Sequence, residues 1–303
     1  MDDVTMPQLR AIVTLARTKT IAAAAAELGY TAGAISQQLA GLEKAVGVRL
    51  LVHVGRRVEL TDAGLILARH GATILDDVLD AREAAVSTER SVSGTVEVGI
   101  FATSPAELFG RAVLLAGERH PDLEVRSCEI HVDAVSGAVR GHVVDLALGV
   151  EYPEVPLPRP DDLTVRTLVR EPFALAVPVS WAGRIPTEPV DLSVGRDWPW
   201  VLPADDSHFA VATGHAFRRA GFEPRIVHGI TDTAATCAMV AVGVAATLLT
   251  PMMAGVRATE AIRLVPLTSP PSRELVLIHR SGPMRPSVAA AAGVIEDVAA
   301  GVS

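Results

Sequence analysis

The apolar positions of the first sixty residues recur at helical spacing and then alternate. A first helical stripe contains Leu9, Ile12, Val13 and Ala16. Thr20 and Thr31 can cap two further helices, over 21–28 and 31–46, and each of these ends at a glycine. Alternating residues then predict two strands, 50–53 and 57–60, around a Gly55-Arg56 turn. The pattern predicts a helical domain, residues 1–61, closed by a β-hairpin.

A long amphipathic segment follows this domain. Thr61 can cap a helix that runs from Asp62 to about Arg90. Its apolar or small positions step by four and three residues: Leu67, Gly71, Ile74, Val78, Ala81 and Ala85. Such a stripe suits another helix. We therefore expect residues 62–90 to be a linker helix through which the chain self-associates.

From about residue 94 the pattern changes to strands that alternate with helices. This order is typical of α/β lobes with parallel sheets, and two lobes leave a cleft between them. We expect residues 91–303 to form one domain of two lobes. Lobe I is predicted over about 94–160 and 267–303, and lobe II over about 161–266.

Charge is distributed unevenly along the chain. The 303 residues carry a net charge of −8, with 49% hydrophobic and 20% charged residues. Residues 1–60 hold seven Lys/Arg and five Asp/Glu, a net of +2, so the remainder carries −10. A mildly basic head on an acidic body permits contact with DNA at one end only and argues against a protein that coats nucleic acid.

Residues 21–40 have the spacing of a helix-turn-helix. Ala25 is small where the helices approach, Gly29 accepts the turn, and Ile35 locks the second helix onto the first. The outward face can read bases through Ser36, Gln37 and Gln38. Thr31 and Gly33 lie at the start of this face. The predicted phosphate contacts are Lys44, Arg49, Arg56 and Arg57. The alternative is an alanine-rich helical hairpin that only packs.

Several stretches resemble the LysR-type transcriptional regulators. They are residues 20–39, Leu42-Glu43, 46–51, Gly55-Arg56-Arg57 and 60–64 in the N-terminal part, and 94–99, 120–125 and 145–149 further on. The resemblance implies a winged-helix DNA-binding domain, a dimerising linker helix and an effector domain like the periplasmic binding proteins. It also implies dimers or tetramers on an interrupted palindrome, a small-molecule effector between the lobes and contact with RNA polymerase. Ala32-Gly33 departs from the family pattern, in which a long polar side chain often stands there, so base readout rests on fewer groups.

The predicted effector site lies where strands end and helices begin. Its candidates are Phe101, Thr103, Ser104, Pro203, Ser207, His208 and Thr231. Ser104, Pro105 and Glu107 form a capping box, so Ser104 either caps its helix or presents that helix terminus to an anionic effector. The resemblance places the effector near this turn.

Other chemistry has little support in the sequence. Cys128 and Cys237 suit buried structural positions better than a redox pair, and His208 and His215 suit core or surface positions better than a metal site. We expect no cofactor, no metal and no enzyme motif. The uncharged run 233–256 is predicted as a buried helix and strand, not a membrane span, and the chain begins without a secretory signal. A cytoplasmic location is therefore expected.

Two other function classes stay open on the sequence. One is a solute-binding or metabolic α/β protein with an accessory helical domain. The other is a DNA-binding protein without an effector, whose cleft is filled by its own side chains. The leading interpretation is a sequence-specific regulator controlled by a small molecule.

Overall fold

The N-terminal part forms a small helical domain with a hairpin. A computed structural model describes residues 3–54, 57–87, 92–101, 106–156, 159–184, 188–203, 207–255 and 260–301. Its first elements are α1 (Met6–Thr18), α2 (Ile21–Leu28), α3 (Ala32–Val46), β1 (Leu51–Val54) and β2 (Arg57–Leu60). The two strands are antiparallel, with Leu51 opposite Leu60. Ile12, Ile35 and Leu39 are buried in a core that belongs to this domain, which we call the head.

The linker helix α4 (Asp62–Ser87) starts at the hairpin. Thr61 accepts a hydrogen bond from the Gly64 amide at 3.0 Å, as expected of a cap. At ~1.5 Å per residue the helix is about 39 Å long. Gly71 packs on Leu9 and Val13 of α1. The predicted extension to Arg90 falls on residues 88–91, which lie outside the described residues.

Lobe I is built on a mixed sheet. The described residues place five strands in the order β4-β3-β5-β12-β6, of which β4, β3 and β5 are parallel and β12 is antiparallel to both neighbours. The strands are β3 (Ser93–Ile100), β4 (Asp122–Glu129), β5 (Leu146–Glu151), β6 (Leu163–Pro172) and β12 (Ser272–Arg280). The helices of this lobe are α5 (Ala106–Arg119), α6 (Val135–Arg140) and α10 (Pro286–Ala300).

Lobe II holds the middle of the chain. An antiparallel sheet has the order β10-β7-β11, and a parallel pair joins β8 to β9. The strands are β7 (Ala174–Pro178), β8 (Pro199–Leu202), β9 (Arg225–Gly229), β10 (Thr247–Leu249) and β11 (Ile262–Val265). The helices are α7 (His208–Arg219), α8 (Thr233–Ala241) and α9 (Pro251–Gly255). Trp200 is buried here against Phe217, and its indole N–H donates to the Gly195 carbonyl at 2.9 Å.

Two expectations about the lobes need correction. The prediction of parallel sheets is wrong for β12 and for the β7 sheet, where the strands run antiparallel. The predicted start of lobe II at residue 161 is also too early, because β6 pairs with β12 along its length and so belongs to the sheet of lobe I. The two strands are about a hundred residues apart in the sequence. The order of consecutive elements along the chain therefore does not show that they pair.

The uncharged run 233–256 is divided among α8, β10 and α9, as the sequence predicts a helix and a strand there. Within the part of the chain that the structure describes, no helix is both long and apolar enough to cross a membrane.

Candidate nucleic-acid interface and effector cleft

The α2 and α3 helices form the turn that the sequence predicts. Thr20 accepts a hydrogen bond from the Ala23 amide at 3.1 Å, and Thr31 accepts one from Ala34 at 3.2 Å. Between these caps Gly29 adopts φ +70°, a left-handed conformation that favours glycine. Each helix end is thus fixed by a side chain or a glycine, so α3 holds a defined direction on the surface of the head.

One face of α3 is buried and the opposite face is open. Ile35, Leu39 and Leu42 are buried in the head. Ser36 and Gln37 are exposed, and the Ser36 hydroxyl donates to the Ala32 carbonyl at 3.0 Å. An exposed amide and an exposed hydroxyl on a helix of this length can reach base edges in a major groove.

The other predicted DNA contacts surround this face. Gln38 is half-buried at its side, and Gly33 is exposed, with the Thr31 hydroxyl 4.0 Å from where a Cβ would lie. Lys44 and Arg49 are exposed near the end of α3. Arg57 is the first residue of β2, opposite Val54. Arg56 lies outside the described residues.

Two residues of this surface were not singled out from the sequence. Tyr30 is 58% exposed in the turn between the helices, although tyrosine is usually at least partly covered. The Glu43 carboxylate accepts hydrogen bonds from the amides of Leu50 at 2.8 Å and Leu51 at 3.1 Å. Glu43 therefore ties the hairpin to α3. An aromatic residue directly after the turn glycine is the signal that could have indicated Tyr30.

The second site is a cavity between the lobes. It has a volume of about 190 Å³ and lies between the carboxyl ends of β3, β4 and β5 and the amino ends of α7 and α8. Phe101, Tyr152, Phe209 and Met253 give it apolar walls. Tyr152, Phe173 and Phe209 stack with ring centroids 5.9–6.5 Å apart, and they join the two lobes beside the cavity.

Polar groups enter this cavity from helix ends. Ser207 caps α7 by accepting from the Ala210 amide at 3.2 Å, and Asp232 caps α8 by accepting from Ala235 at 2.6 Å. Thr231 lines the cavity beside Asp232. Burial raises the pKa of Tyr152. Its phenol therefore stays neutral and can donate a hydrogen bond.

One wall of the cavity contains a buried arginine that is paired with a buried glutamate. Arg273 of β12 lines it and donates to Glu171 of β6 from Nη2 at 2.7 Å and from Nε at 2.9 Å. The same carboxylate accepts from the Thr250 hydroxyl at 3.1 Å and the Met252 amide at 3.0 Å. Since Thr250 and Met252 belong to lobe II, the pair joins the sheet of lobe I to lobe II.

The predicted effector residues divide into three groups. Phe101, Ser207 and Thr231 line the cavity. Pro203 borders a void of about 10 Å³ inside lobe II, and the His208 imidazole donates to the Val155 carbonyl at 2.5 Å while it packs edge-on against Tyr152. Thr103 and Ser104, with the proposed capping box, lie outside the described residues. Tyr152 and Arg273 were missed because a tyrosine or an arginine at a strand end has no distinctive local pattern.

The cysteine prediction is half wrong. Cys237 is fully buried in α8, but Cys128 is exposed on β4. Among the described strands, β4 lies at the edge of its sheet, and residues 126–129 at its end are all exposed. Partial burial and the nearby charge of Glu97 raise the pKa of Cys128, so its thiol forms little thiolate near neutrality. His215 is exposed.

Two sequence families match these two regions. The bacterial regulatory helix-turn-helix protein, lysR family, matches residues 6–65, and the LysR substrate binding domain matches residues 89–300. The chain belongs to the LysR family. LysR-family proteins are DNA-binding transcriptional regulators with an effector-binding domain, and they are not enzymes.

Individual proteins agree with this assignment. The regulator IlvR of Caulobacter vibrioides is 26% identical over 284 residues, which cover 93% of this chain and 94% of IlvR. CfxR of Cupriavidus necator is 33% identical over 146 residues, but these cover 48% of this chain and 45% of CfxR. A full-length OxyR variant from Pseudomonas aeruginosa has a similar fold, with a TM-score of 0.78 and 20% identity over 98% of this chain and 97% of OxyR. The LysR-type helix-turn-helix and the two-lobed domain of the sequence analysis are therefore confirmed.

Proposed function

We propose that this LysR-family regulator binds an interrupted palindrome as a dimer or tetramer and that a small molecule in the cavity between the lobes controls it. The observation that carries the DNA part is the exposed Ser36–Gln37 face of α3, held between a Thr31 cap and a buried apolar face. Gln37 pairs with adenine, Ser36 bonds either base partner, and Gln38 reaches a base from the side.

The phosphate contacts surround this helix. Lys44 and Arg49 are exposed near the end of α3, and Arg57 is the first residue of β2. Arg56, which precedes Arg57 in the sequence, is proposed with them. These residues position the helix on the duplex without reading its sequence. Tyr30 joins this set, because its exposed phenol stands directly before the cap of α3.

The exposed stripe of α4 supports self-association. Ile74 and Val78 are 45% and 47% exposed, and Leu79 beside them is exposed as well. We infer that this stripe packs against α4 of a second chain, since an apolar ridge at this spacing suits a helix partner. A two-fold protein then matches a two-fold operator. Contact with RNA polymerase and a cytoplasmic location complete the proposal, because a regulator acts where transcription takes place.

The effector is small. A cavity of about 190 Å³ is below the ~300–1,000 Å³ of drug-sized pockets. Its apolar walls select a molecule with an apolar body. The Thr231 and Tyr152 hydroxyls and the amino end of α7 supply donors for a hydroxyl or carboxylate group.

Selection of genomic DNA fragments on the full-length protein tests the DNA part. We expect a pseudo-palindromic site and a steep fall in affinity with salt. Gln37→Ala should relax the preference at one position by about 1–3 kcal/mol. Arg49→Ala should weaken all sequences alike and reduce the salt slope by about one. Unchanged binding in both variants would contradict the assigned face.

Thermal-shift measurements on the full chain with aliphatic carboxylates and hydroxy acids test the effector part. Compounds that raise the melting temperature should lose affinity in Thr231→Val. Thr95→Val on the outer part of β3, where the hydroxyl bonds Glu124 at 3.3 Å, is the matched control and should leave affinity unchanged. The absence of any stabilising compound would favour a DNA-binding protein without an effector. Ligand binding without operator preference would favour a solute-binding protein.

A further inference from the structure

A second cavity, larger than the one between the lobes, lies where α4 crosses lobe I. Its volume is about 320 Å³, and it is bordered by α4, the end of α6, the end of β12 and the start of α10. We call it the linker cavity. It joins the helix that leads to the head with the domain that carries the effector cleft, and none of the described DNA or effector candidates borders it.

The cations of the linker cavity already have partners. Arg280 donates to Asp76 at 2.7 Å, Arg140 donates to Asp162 at 2.7 Å, and Arg285 is ion-paired with Asp145. An anionic ligand would have to displace one of these carboxylates. The linker cavity is therefore a poor site for phosphate or a carboxylate.

Acidic groups remain in excess. Five aspartates border the linker cavity, Asp76, Asp77, Asp80, Asp145 and Asp162, against three arginines and two histidines, of which His142 is paired with Asp76. Asp77 is exposed on α4. Asp80 faces Arg285 at 4.0 Å, and that arginine is shared with Asp145 and, at 3.6 Å, with Glu83. Burial raises the pKa of Asp80, the charge of Arg285 opposes this increase, and the charge of Asp76 adds to it. The excess of carboxylates over guanidinium groups around the cavity is what favours additional positive charge.

A buried acceptor points to the same chemistry. His279 of β12 is 4% exposed and borders the linker cavity. Its Nδ1 donates to the Arg280 carbonyl at 2.7 Å, because a carbonyl can only accept. In the neutral ring Nε2 is then an acceptor. This Nε2 is the one buried side-chain nitrogen or oxygen without a hydrogen-bond partner among the described residues.

We propose that the linker cavity binds a small organic dication with two N–H donor groups, a diamine. One ammonium group meets the Asp77–Asp80 carboxylates, and the other donates to His279 Nε2, which the ligand reaches by displacing the side chains that cover this atom. A divalent metal does not fit, because within the described ranges no three His, Cys, Asp or Glu side chains are grouped closely enough to hold one. Donors at two ends of an organic chain can reach acceptors on separate elements. Such a ligand would strengthen the attachment of α4 to lobe I.

Calorimetric titration of the full-length protein with putrescine (butane-1,4-diamine) tests this proposal. We expect saturable binding at one site per chain and a higher melting temperature, both at constant ionic strength. Neutral butane-1,4-diol should not bind. Asp80→Asn, which keeps the side-chain size, should weaken putrescine by about tenfold or more, since a charged hydrogen bond is lost. His279→Leu removes the acceptor and should weaken it similarly.

Two controls locate the site. Asp232→Asn changes a carboxylate of the cavity between the lobes and keeps the α8 cap, and Glu118→Gln changes an exposed carboxylate of α5. Both should bind putrescine like the unaltered protein. The proposal is overturned if putrescine does not bind, if Asp80→Asn binds it equally well, or if only Asp232→Asn loses it. Because Asp80 is partly exposed, Asp80→Asn answers the question even where His279→Leu fails to fold.

Discussion

The contacts that stabilise the head join residues close in the sequence, whereas those that stabilise the effector half join residues far apart. In the head, the bonds that fix helix ends join residues three apart, as between Thr20 and Ala23 or Thr31 and Ala34. In the effector half, Arg273 bonds Glu171 at a separation of 102 residues, and Arg280 bonds Asp76 of the linker helix at a separation of 204. Local caps are each worth about 1 kcal/mol, whereas a broken buried ion pair leaves an uncompensated charge. The two halves should therefore respond differently to single substitutions.

The largest effect is expected at the ion pair behind the effector cleft. Arg273→Met leaves the buried Glu171 carboxylate without its guanidinium, which should lower the free energy of unfolding by about 3–5 kcal/mol. Urea denaturation of the full chain measures it. Arg170→Met removes the neighbouring surface pair with Glu274, in which the arginine is 62% exposed, and should cost about 1 kcal/mol or less. Equal losses in the two variants would show that burial does not set the cost.

The contact between α4 and lobe I should give a smaller, pH-dependent effect. Burial raises the pKa of Asp76, but the hydrogen bond with His142 and the charges of Arg280 and Arg285 outweigh it, so the net shift is downward. A carboxyl whose pKa is lowered on folding stabilises the protein above its ordinary pKa of 3.8 and loses this contribution as pH falls through the folded value. Asp76→Asn should cost about 1.5–3 kcal/mol at pH 7, and the difference should narrow below pH 3.8.

Urea denaturation between pH 7 and pH 2.5 follows this difference. Asp77→Asn, one residue along α4 and exposed, is the matched control. It should cost little at any pH in the absence of ligand. A constant difference between Asp76→Asn and the unaltered protein down to pH 2.5 would mean that the carboxylate charge does not hold the helix.

The same contrast in range explains what the sequence could predict. The bounds of α2 and α3 follow from Thr20, Gly29, Thr31 and Gly47, because caps and left-handed glycines act within one turn of chain. The partner of β6 could not be predicted in this way, because it is decided by the antiparallel addition of β12, about a hundred residues later.

The candidate sites show the same division. The exposed Ser36–Gln37 face of α3 follows from helical periodicity alone. The wall of the effector cleft does not, because Tyr152 and Arg273 reach it only after two distant strands have paired. The sequence predicts a buried Cys128, but the side chains of residues 126–129 at the end of β4 are exposed. Whether a face of a sheet is covered depends on tertiary packing, which a local pattern does not show.

A substitution where the hairpin meets α4 tests whether close packing limits substitutions in the head, as the buried ion pair does in the effector half. An added Cβ at Gly64 would lie 2.3 Å from the Leu50 carbonyl oxygen, so Gly64→Ala forces the backbone of the hairpin or the helix to move. We expect a loss of about 1–3 kcal/mol, measured as a lower melting temperature. Gly110→Ala in α5, where nothing lies within 4 Å of the new Cβ, should instead be neutral or stabilise by up to about 1 kcal/mol. A loss of similar size at both positions would show that the close approach to the Leu50 carbonyl does not set the cost at Gly64.

The smallest effect on stability is expected at the cap of α3. Variants of the α2 and α3 caps can distinguish a loss of stability from a loss of operator binding. Thr31→Ala removes the acceptor for the Ala34 amide and should cost about 1 kcal/mol, whereas Thr31→Ser keeps the hydroxyl and should cost less. Thr20→Ala removes the equivalent bond of α2 and should cost about the same stability. The first turn of α3 begins the face that carries Ser36 and Gln37, so Thr31→Ala alone should also weaken binding to the selected operator. If Thr20→Ala weakens operator binding equally, the loss reflects a looser head and not the geometry of the first turn of α3.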